Sequence, residues 1–289
     1  MSRHRTSNAQ GIFLMLGANV AFAAMAAADK ELTDLSASEV VFIRSALGTA
    51  AFLLYFLWKK NSGWPGKNPP VLTARGTFGF IALFLYFWAL PKLHLGTAVM
   101  LNYTAPIFAV ILSHWVLKEK SAHHAKALIA ASFFGVYLLT APQITEQPVA
   151  FAAALASGFF VGVVHILIRR STAGQEPPLL IIFYFMAICM IGALFLWPFS
   201  QWRMPAPREW IFLWVITVTS ILGQLGLTYS LRKAAVTVVS PFGYFTPVMG
   251  LLLGFLIWKE NPGWDGYLGS VIVIICGALL YRKQTVPTG

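Results

Sequence analysis

Arg44, in the run Phe42-Ile43-Arg44-Ser45-Ala46-Leu47-Gly48, is a charged side chain inside an apolar segment, and such a guanidinium has few uses. A charge at that depth costs several kcal/mol unless it faces the bundle interior, water or a partner. One use is to bind the carboxylate or phosphate of a small molecule, and another is to latch onto Asp29, Glu31 or Glu39. With the segment starting at residue 39, Arg44 lies roughly 8 Å inside its end at 1.5 Å per residue, so snorkelling to the interface competes with both.

A second group is built around prolines. Asn102 and Tyr103 precede Pro106, whose missing N–H and ring free the carbonyl of Asn102 one turn earlier. A helix broken there can turn backbone toward a cavity. The same holds around Pro247, with Gly243, Tyr244 and a further break at Pro241. Asn19, His165 and Gln224 sit at comparable depth in other segments, where they either contact a ligand or hydrogen-bond between helices. Trp88, Tyr184 and Tyr229, with Tyr86, suit stacking and cation–π contact or simply fill the bundle. The expected substrate contacts are therefore Asn19, Arg44, Trp88, Asn102, Tyr103, His165, Tyr184, Gln224, Tyr229 and Tyr244, with Pro106 and Pro247 as hinges.

Other chemistries lack their residues. There is no Gly-x-x-x-x-Gly-Lys-[Ser/Thr] loop for ATP, no His-Glu-x-x-His, and no convergent nucleophile and base. Cys189 and Cys276 lie in apolar runs without metal or redox spacing, and His123-His124 stands in a polar loop with no cysteine nearby. No enzyme, cofactor or metal centre is expected. The segments contain no interior Asp or Glu, so proton coupling through an embedded carboxylate is not expected either. His165 or His114 is the substitute, and otherwise a uniporter or exchanger follows.

The elements that must position these residues follow from composition. The chain of 289 residues is 58% hydrophobic and 11% charged, against roughly a quarter charged in soluble domains. That much apolar side chain needs lipid around it. The net charge of +11 sits in short loops, which points to membrane topology and not to nucleic acid. Ten apolar segments are predicted to cross a ~30 Å core as helices: 10–28, 39–58, 76–92, 97–117, 125–141, 149–168, 178–199, 209–231, 236–258 and 266–281. Met1 to Arg5 and the run after it also fit a signal peptide, but cleavage would leave nine spans and an unmatched repeat. Trp58, Trp64, Trp115, Trp197, Trp202, Trp210, Trp258 and Trp264 read as interfacial belts.

With the N-terminus in the cytoplasm, Arg3, Arg5, Lys59, Lys60, Lys67, Arg75, Lys118, Lys120, Lys126, Arg169, Arg170, Arg232, Lys233, Arg282 and Lys283 fall inside. Only Lys30, Lys92, Arg203, Arg208 and Lys259 fall outside, so both termini are expected to be cytoplasmic. The stretch from Gly96 to Lys120 recurs 141 positions on: Tyr103 falls on Tyr244, Pro106 on Pro247, Leu112 on Leu253, Lys118-Glu119 on Lys259-Glu260. Leu138 and Leu139 fall on Leu279 and Leu280. Five helices per half is an odd number, so the second copy enters the membrane inverted, an architecture common among secondary transporters. The Lys-Glu pairs then mark helix ends at opposite faces. Gly158-x-x-x-Gly162 and Gly250-x-x-x-Gly254 allow close helix packing, expected within one chain, and the oligomeric state stays open, a monomer included.

With Arg75-Gly76, Ala89-Leu90, Ala105-Pro106, Lys118-Glu119 and Gly135-Val136 in one half, and Thr246-Pro247, Lys259-Glu260 and Gly277-Ala278 in the other, the chain resembles the drug/metabolite transporter superfamily. Within it, the resemblance is to EamA-type proteins with two five-helix halves. It implies a carrier of small metabolites, multi-pass in the bacterial cytoplasmic (inner) membrane, with a cavity lined by the fourth and ninth helices and their neighbours. The Arg-Gly opening and the Tyr-Thr-Ala-Pro spacing are also similar to the S-adenosylmethionine uptake carriers. The expectation is an all-α integral membrane protein of ten helices, with inverted repeats over 10–141 and 149–283. It would move an amino acid or related zwitterion by alternating access. A carrier of S-adenosylmethionine or another nucleoside-like metabolite is the first alternative, and a non-transporting membrane scaffold or enzyme the second.

Overall fold

The computed structural model of the chain describes residues 2–32, 34–60, 65–89, 92–93, 101–119, 123–140, 147–199, 202–259 and 263–285. Their regular structure is helical. The helices are α1 (Ser2–Asp29), α2 (Ala37–Lys59), α3 (Pro69–Ala89), α4 (Ala105–Val116), α5 (His123–Thr140), α6 (Pro148–Ala173), α7 (Pro178–Leu196), α8 (Pro207–Lys233), α9 (Val236–Val239), α10 (Phe245–Trp258) and α11 (Gly263–Thr285). A 3-10 stretch, Ser240–Tyr244, joins α9 to α10.

Among the described residues seven helices are long and apolar enough to cross a membrane, Val236–Trp258 being taken as one, and Ala105–Val116 and Ala125–Leu138 are shorter apolar helices. Their ends are set locally. Ser36 caps α2 through its Oγ, which accepts from Glu39 N. Prolines open α6, α7 and α8 at positions where a missing N–H removes nothing from the helix. The surface is apolar: Leu54, Leu57, Trp58, Trp115, Phe195 and Ile211 are strongly exposed, which only lipid accommodates.

The helices pair between the two halves. α1 packs along α8 and α3 along α6; α2 packs on α7 and α5 on α11; α4 lies on α6 and α10 on α1. Each pairing maps onto itself or onto another when the halves are exchanged. Close approach needs small residues at one of these crossings. A Cβ on Gly158 would stand 2.4 Å from Thr104 Oγ1 and 2.6 Å from Leu101 O, so α6 meets the start of α4 backbone to backbone. Gly162 likewise faces Phe108 and Ala109 of α4, within the chain, whereas Gly250 has open space around it.

The prolines break their helices at matching places. Residues 101–102 are helical, Tyr103-Thr104 form a turn, and α4 restarts with Pro106 in its first turn. In the ninth segment the 3-10 stretch ends at Tyr244, and Pro247 lies in the first turn of α10. The echo extends to the far ends, since Lys118 (φ 54°) and Lys259 (φ 59°) both adopt the left-handed conformation. Glu260, Lys120, Trp64 and the start of the recurring stretch, residues 96–100, lie outside the described residues, as do the side chains of His123 and His124.

Two expectations change. The third segment begins at Pro69, not at residue 76, because Asn68-Pro69-Pro70 starts a helix: Asn68 Oδ1 accepts from Val71 N at 3.4 Å. Arg75 is therefore not a loop residue but stands roughly 9 Å inside α3 at 1.5 Å per residue. Carboxylates also reach the apolar segments: Asp29 closes α1, and Glu39, in the first turn of α2, is buried with Oε2 unpartnered.

Candidate functional site: two buried arginines between the halves

Arg75 is 1% exposed, and α3 holds its guanidinium over the Phe185 ring of α7, 3.9 Å from the centroid. Nη2 donates to Gln224 Oε1 of α8 at 2.6 Å, while Nε and Nη1 have no partner. Gly79, one turn on, leaves room for this: its Cβ would stand 2.9 Å from Phe185 and 3.3 Å from Arg75 Nη1.

Arg44 does not snorkel. It is 5% exposed, with Nη1 donating to Met25 Sδ of α1 at 3.4 Å and Nε unpartnered. Of the three acids considered for a latch, Asp29 is the one in its electrostatic field, and it does not come within salt-bridge distance. Glu31 is engaged elsewhere, accepting from Trp258 Nε1 at 3.0 Å and standing 3.8 Å from Arg208 Nη2. The two arginines share a neighbour, since Cys189 of α7, one turn beyond Phe185, lies in the field of both. Both guanidinium groups are buried and hold unused donors, and leaving a cation unpaired in the apolar core costs several kcal/mol.

Other polar side chains of the spans hydrogen-bond between helices. Asn19 Nδ2 donates to Phe242 O at 2.6 Å and its Oδ1 accepts from Thr246 Oγ1 at 3.1 Å, so α1 satisfies the broken ninth segment. His165 Nδ1 contacts Ser240 Oγ at 2.9 Å, and Asn102 Nδ2 donates to Ser157 Oγ at 2.7 Å. Tyr103 stands close to Thr246 and to Tyr86, and Tyr86 in turn lies in the field of Asp29.

Four expected contacts are not brought to this centre. Tyr244 is 0% exposed and packs among Val110, Ile129, Val136, Val248 and Val273. The 3-10 turn swings it toward α5 and α11. Tyr184 sits near the start of α7, where its hydroxyl donates to Pro65 O at 2.9 Å. Trp88 is 38% exposed with Lys92 Nζ 3.0 Å above its ring. It borders an open groove of about 580 Å³ between α2, α3 and α7, lined by Val41, Phe80, Phe84 and Ala193. Tyr229 is half-buried, five residues beyond Gln224 on α8. Arg75 is not among the contacts expected from sequence because the apolar run alone starts the third segment at residue 76, one position beyond it. The Asn68-Pro69-Pro70 signal could have found it.

The lysine- and arginine-rich ends are tied together. Arg169 Nε lies 3.5 Å from Glu119 Oε1, its Nη1 donates to Leu231 O at 2.9 Å, and Glu119 Oε2 accepts from Thr237 N at 3.3 Å. This joins the ends of α4, α6 and α8 to the start of α9. No group of three His, Cys, Asp or Glu comes together among the described residues.

The chain is 30% identical over 280 residues to the pseudopaline exporter CntI of Pseudomonas aeruginosa, covering 95% of this chain and 96% of that protein. It is 22% identical to a riboflavin transporter of Vibrio cholerae, covering 96% and 94%. Against an S-adenosylmethionine uptake transporter of Rickettsia prowazekii it is 21% identical, covering 84% and 82%. A crystal structure of a protein 17% identical in sequence superposes with a TM-score of 0.84 over 95% of this chain and 98% of that one, a likeness of fold. The family and these relatives are membrane transporters and not enzymes, and this is an integral, multi-pass membrane protein. The model of the EamA-like transporter family matches residues 9–141 and again 149–282, so the chain belongs to the EamA-like transporter family.

Proposed function

We propose that this protein is a secondary carrier of small carboxylate-bearing metabolites, amino acids or related zwitterions, working by alternating access with Arg75 as the principal substrate contact. The observation behind this reading is a guanidinium that is 1% exposed, bridges α3 to α8 and keeps Nε and Nη1 free. A substrate carboxylate on those donors replaces the missing counter-ion and touches both halves at once. Arg44, Asn19, Asn102, Tyr103, His165 and Gln224 complete the proposed site.

The proposed frame is ten spans in two inverted repeats, 10–141 and 149–283, with both termini cytoplasmic and the protein in a bacterial inner membrane. Support comes from the twofold family match, the exchanged helix pairings and the lysine and arginine bias. Pro106 and Pro247 are then hinges at the breaks, and the Glu119–Arg169 cluster closes the cytoplasmic side. A nucleoside-like substrate is the second reading, favoured by the Vibrio and Rickettsia relatives and by the stacked Phe78–Phe160 pair, 5.6 Å apart.

The test is counterflow of labelled amino acids in proteoliposomes of the purified full chain without an imposed proton gradient. Exchange that is lost in Arg75→Gln is expected. Strict dependence on a proton gradient removes the exchanger reading, and stabilisation by adenosyl or flavin compounds alone favours the second.

A further inference from the structure

Two guanidinium groups occupy this centre, and their surroundings are asymmetric in charge. Arg75 has a neutral partner in Gln224 and a neutral ring in Phe185. Arg44 has a thioether contact in Met25. Among the described residues neither makes a salt bridge, and the one carboxylate in the field of the pair is Asp29, beside Arg44. The remaining neighbours are Cys189, between the two arginines, and His165, in the field of Arg75. The two buried guanidinium groups thus have a single carboxylate neighbour between them, and neither is paired with it. Burial makes such unpaired charge expensive, and the bound substrate is the natural source of the missing anion.

The arginines are also placed to hold two groups at once. Arg75 comes from about a third of the way along α3 and Arg44 from about a third of the way along α2. α2 and α3 both lie on α7, where Phe185 and Cys189 are successive turns of one face. A neutral zwitterion has one carboxylate and leaves one guanidinium unanswered. A molecule with two carboxylates and one ammonium offers an anionic group to the unpartnered donors of each guanidinium. Its ammonium has Asp29 and the Tyr86 ring in the same neighbourhood.

We infer that Arg44 and Arg75 form the two ends of one site for amino-dicarboxylates, with Arg75 and Gln224 taking one carboxylate and Arg44 the other. This rests on the carrier reading above and names its substrate class. Arg44 becomes the specificity-determining residue. Removing the second carboxylate from the substrate, or its guanidinium from the protein, deletes the same charge-assisted hydrogen bonds.

The experiment is thermal unfolding of the purified full chain titrated with matched acid and amide pairs: L-aspartate against L-asparagine, L-glutamate against L-glutamine, and 2-aminoadipate against its side-chain amide. In the wild type the acid of at least one pair is expected to stabilise at about ten- to hundredfold lower concentration than its amide, the ratio for loss of one hydrogen bond to a charged group. In Arg44→Gln that ratio falls toward one, and in Arg75→Gln both members weaken together. Arg44→Lys, which keeps the charge if Arg44→Gln does not fold, retains an acid preference reduced several-fold. An amide that stabilises as well as its acid in the wild type overturns the inference while leaving the carrier reading in place, as does an undiminished ratio in Arg44→Gln. If no member of any pair moves the wild-type midpoint, the amino-acid carrier reading itself fails, and the inference with it.

Discussion

Arg75 and Gln224 meet at 2.6 Å across the boundary between the two halves, one on α3 and the other on α8. The two helices belong to different halves, and a rocking motion of one half against the other has to act on this bond or on the substrate that shares it. In the proposed carrier the pair would serve both to recognise substrate and to register the relative position of the halves.

Arg75→Lys is expected to lower substrate affinity about ten- to hundredfold, because lysine has neither the planar face for Phe185 nor the fork that reaches Gln224 while offering further donors. Gln224→Leu leaves Arg75 with one donor more to satisfy and is expected to lower affinity about tenfold. Both are read from counterflow and ligand-dependent unfolding midpoints.

Asn19→Leu removes the donor to Phe242 O and the acceptor for Thr246 Oγ1, both in the broken ninth segment. The Thr246 hydroxyl loses its acceptor, while the Phe242 carbonyl keeps the backbone donor Phe245 N, so the cost is about 1–3 kcal/mol. A clear fall in the unfolding midpoint in detergent is expected, with the ninth segment losing protection first in hydrogen exchange.

Gly158→Ala is expected to destabilise, contrary to the usual benefit of alanine in a helix. The new methyl would stand 2.6 Å from the Leu101 carbonyl oxygen, which is backbone and cannot rotate away. A loss of about 1–3 kcal/mol, typical of overpacking, should appear as a lower midpoint, and Gly250→Ala, with open space around it, should not show it.

Glu119→Gln weakens the tie between α4, α6 and α9. The Arg169 and Glu119 side chains are 27% and 14% exposed, so the pair contributes at most about 1 kcal/mol. Labelling of an introduced Ser240→Cys by an impermeant maleimide from the lysine- and arginine-rich face should quicken about two- to fivefold. Unchanged labelling would remove this cluster as a gate.

Reporter fusions test the orientation. Fluorescent protein fused at either end should be bright, and alkaline phosphatase at either end inactive, if both termini are cytoplasmic.

The sequence by itself determined the class of the molecule, an all-helical integral membrane protein. Runs of apolar residues long enough for a bilayer, prolines 141 positions apart and a lopsided distribution of lysine and arginine are properties of the chain that no packing can undo. The breaks at Pro106 and Pro247 were legible for the same reason, since a missing N–H acts on its own helix. Tertiary structure decided which side chains meet. Arg44 could equally snorkel or turn inward until α1 and α7 were packed around it. Tyr103 and Tyr244 are equivalent in sequence and pack into one apolar cluster, yet the fold buries Tyr244 completely and leaves Tyr103 partly exposed. Arg75 is a candidate site residue because α3 begins at Pro69 and lies against α7 and α8, where Phe185 and Gln224 surround its guanidinium. Depth in the membrane is written along a helix, but the partners that stabilise a buried charge come from helices far away in sequence, and only the fold brings them together.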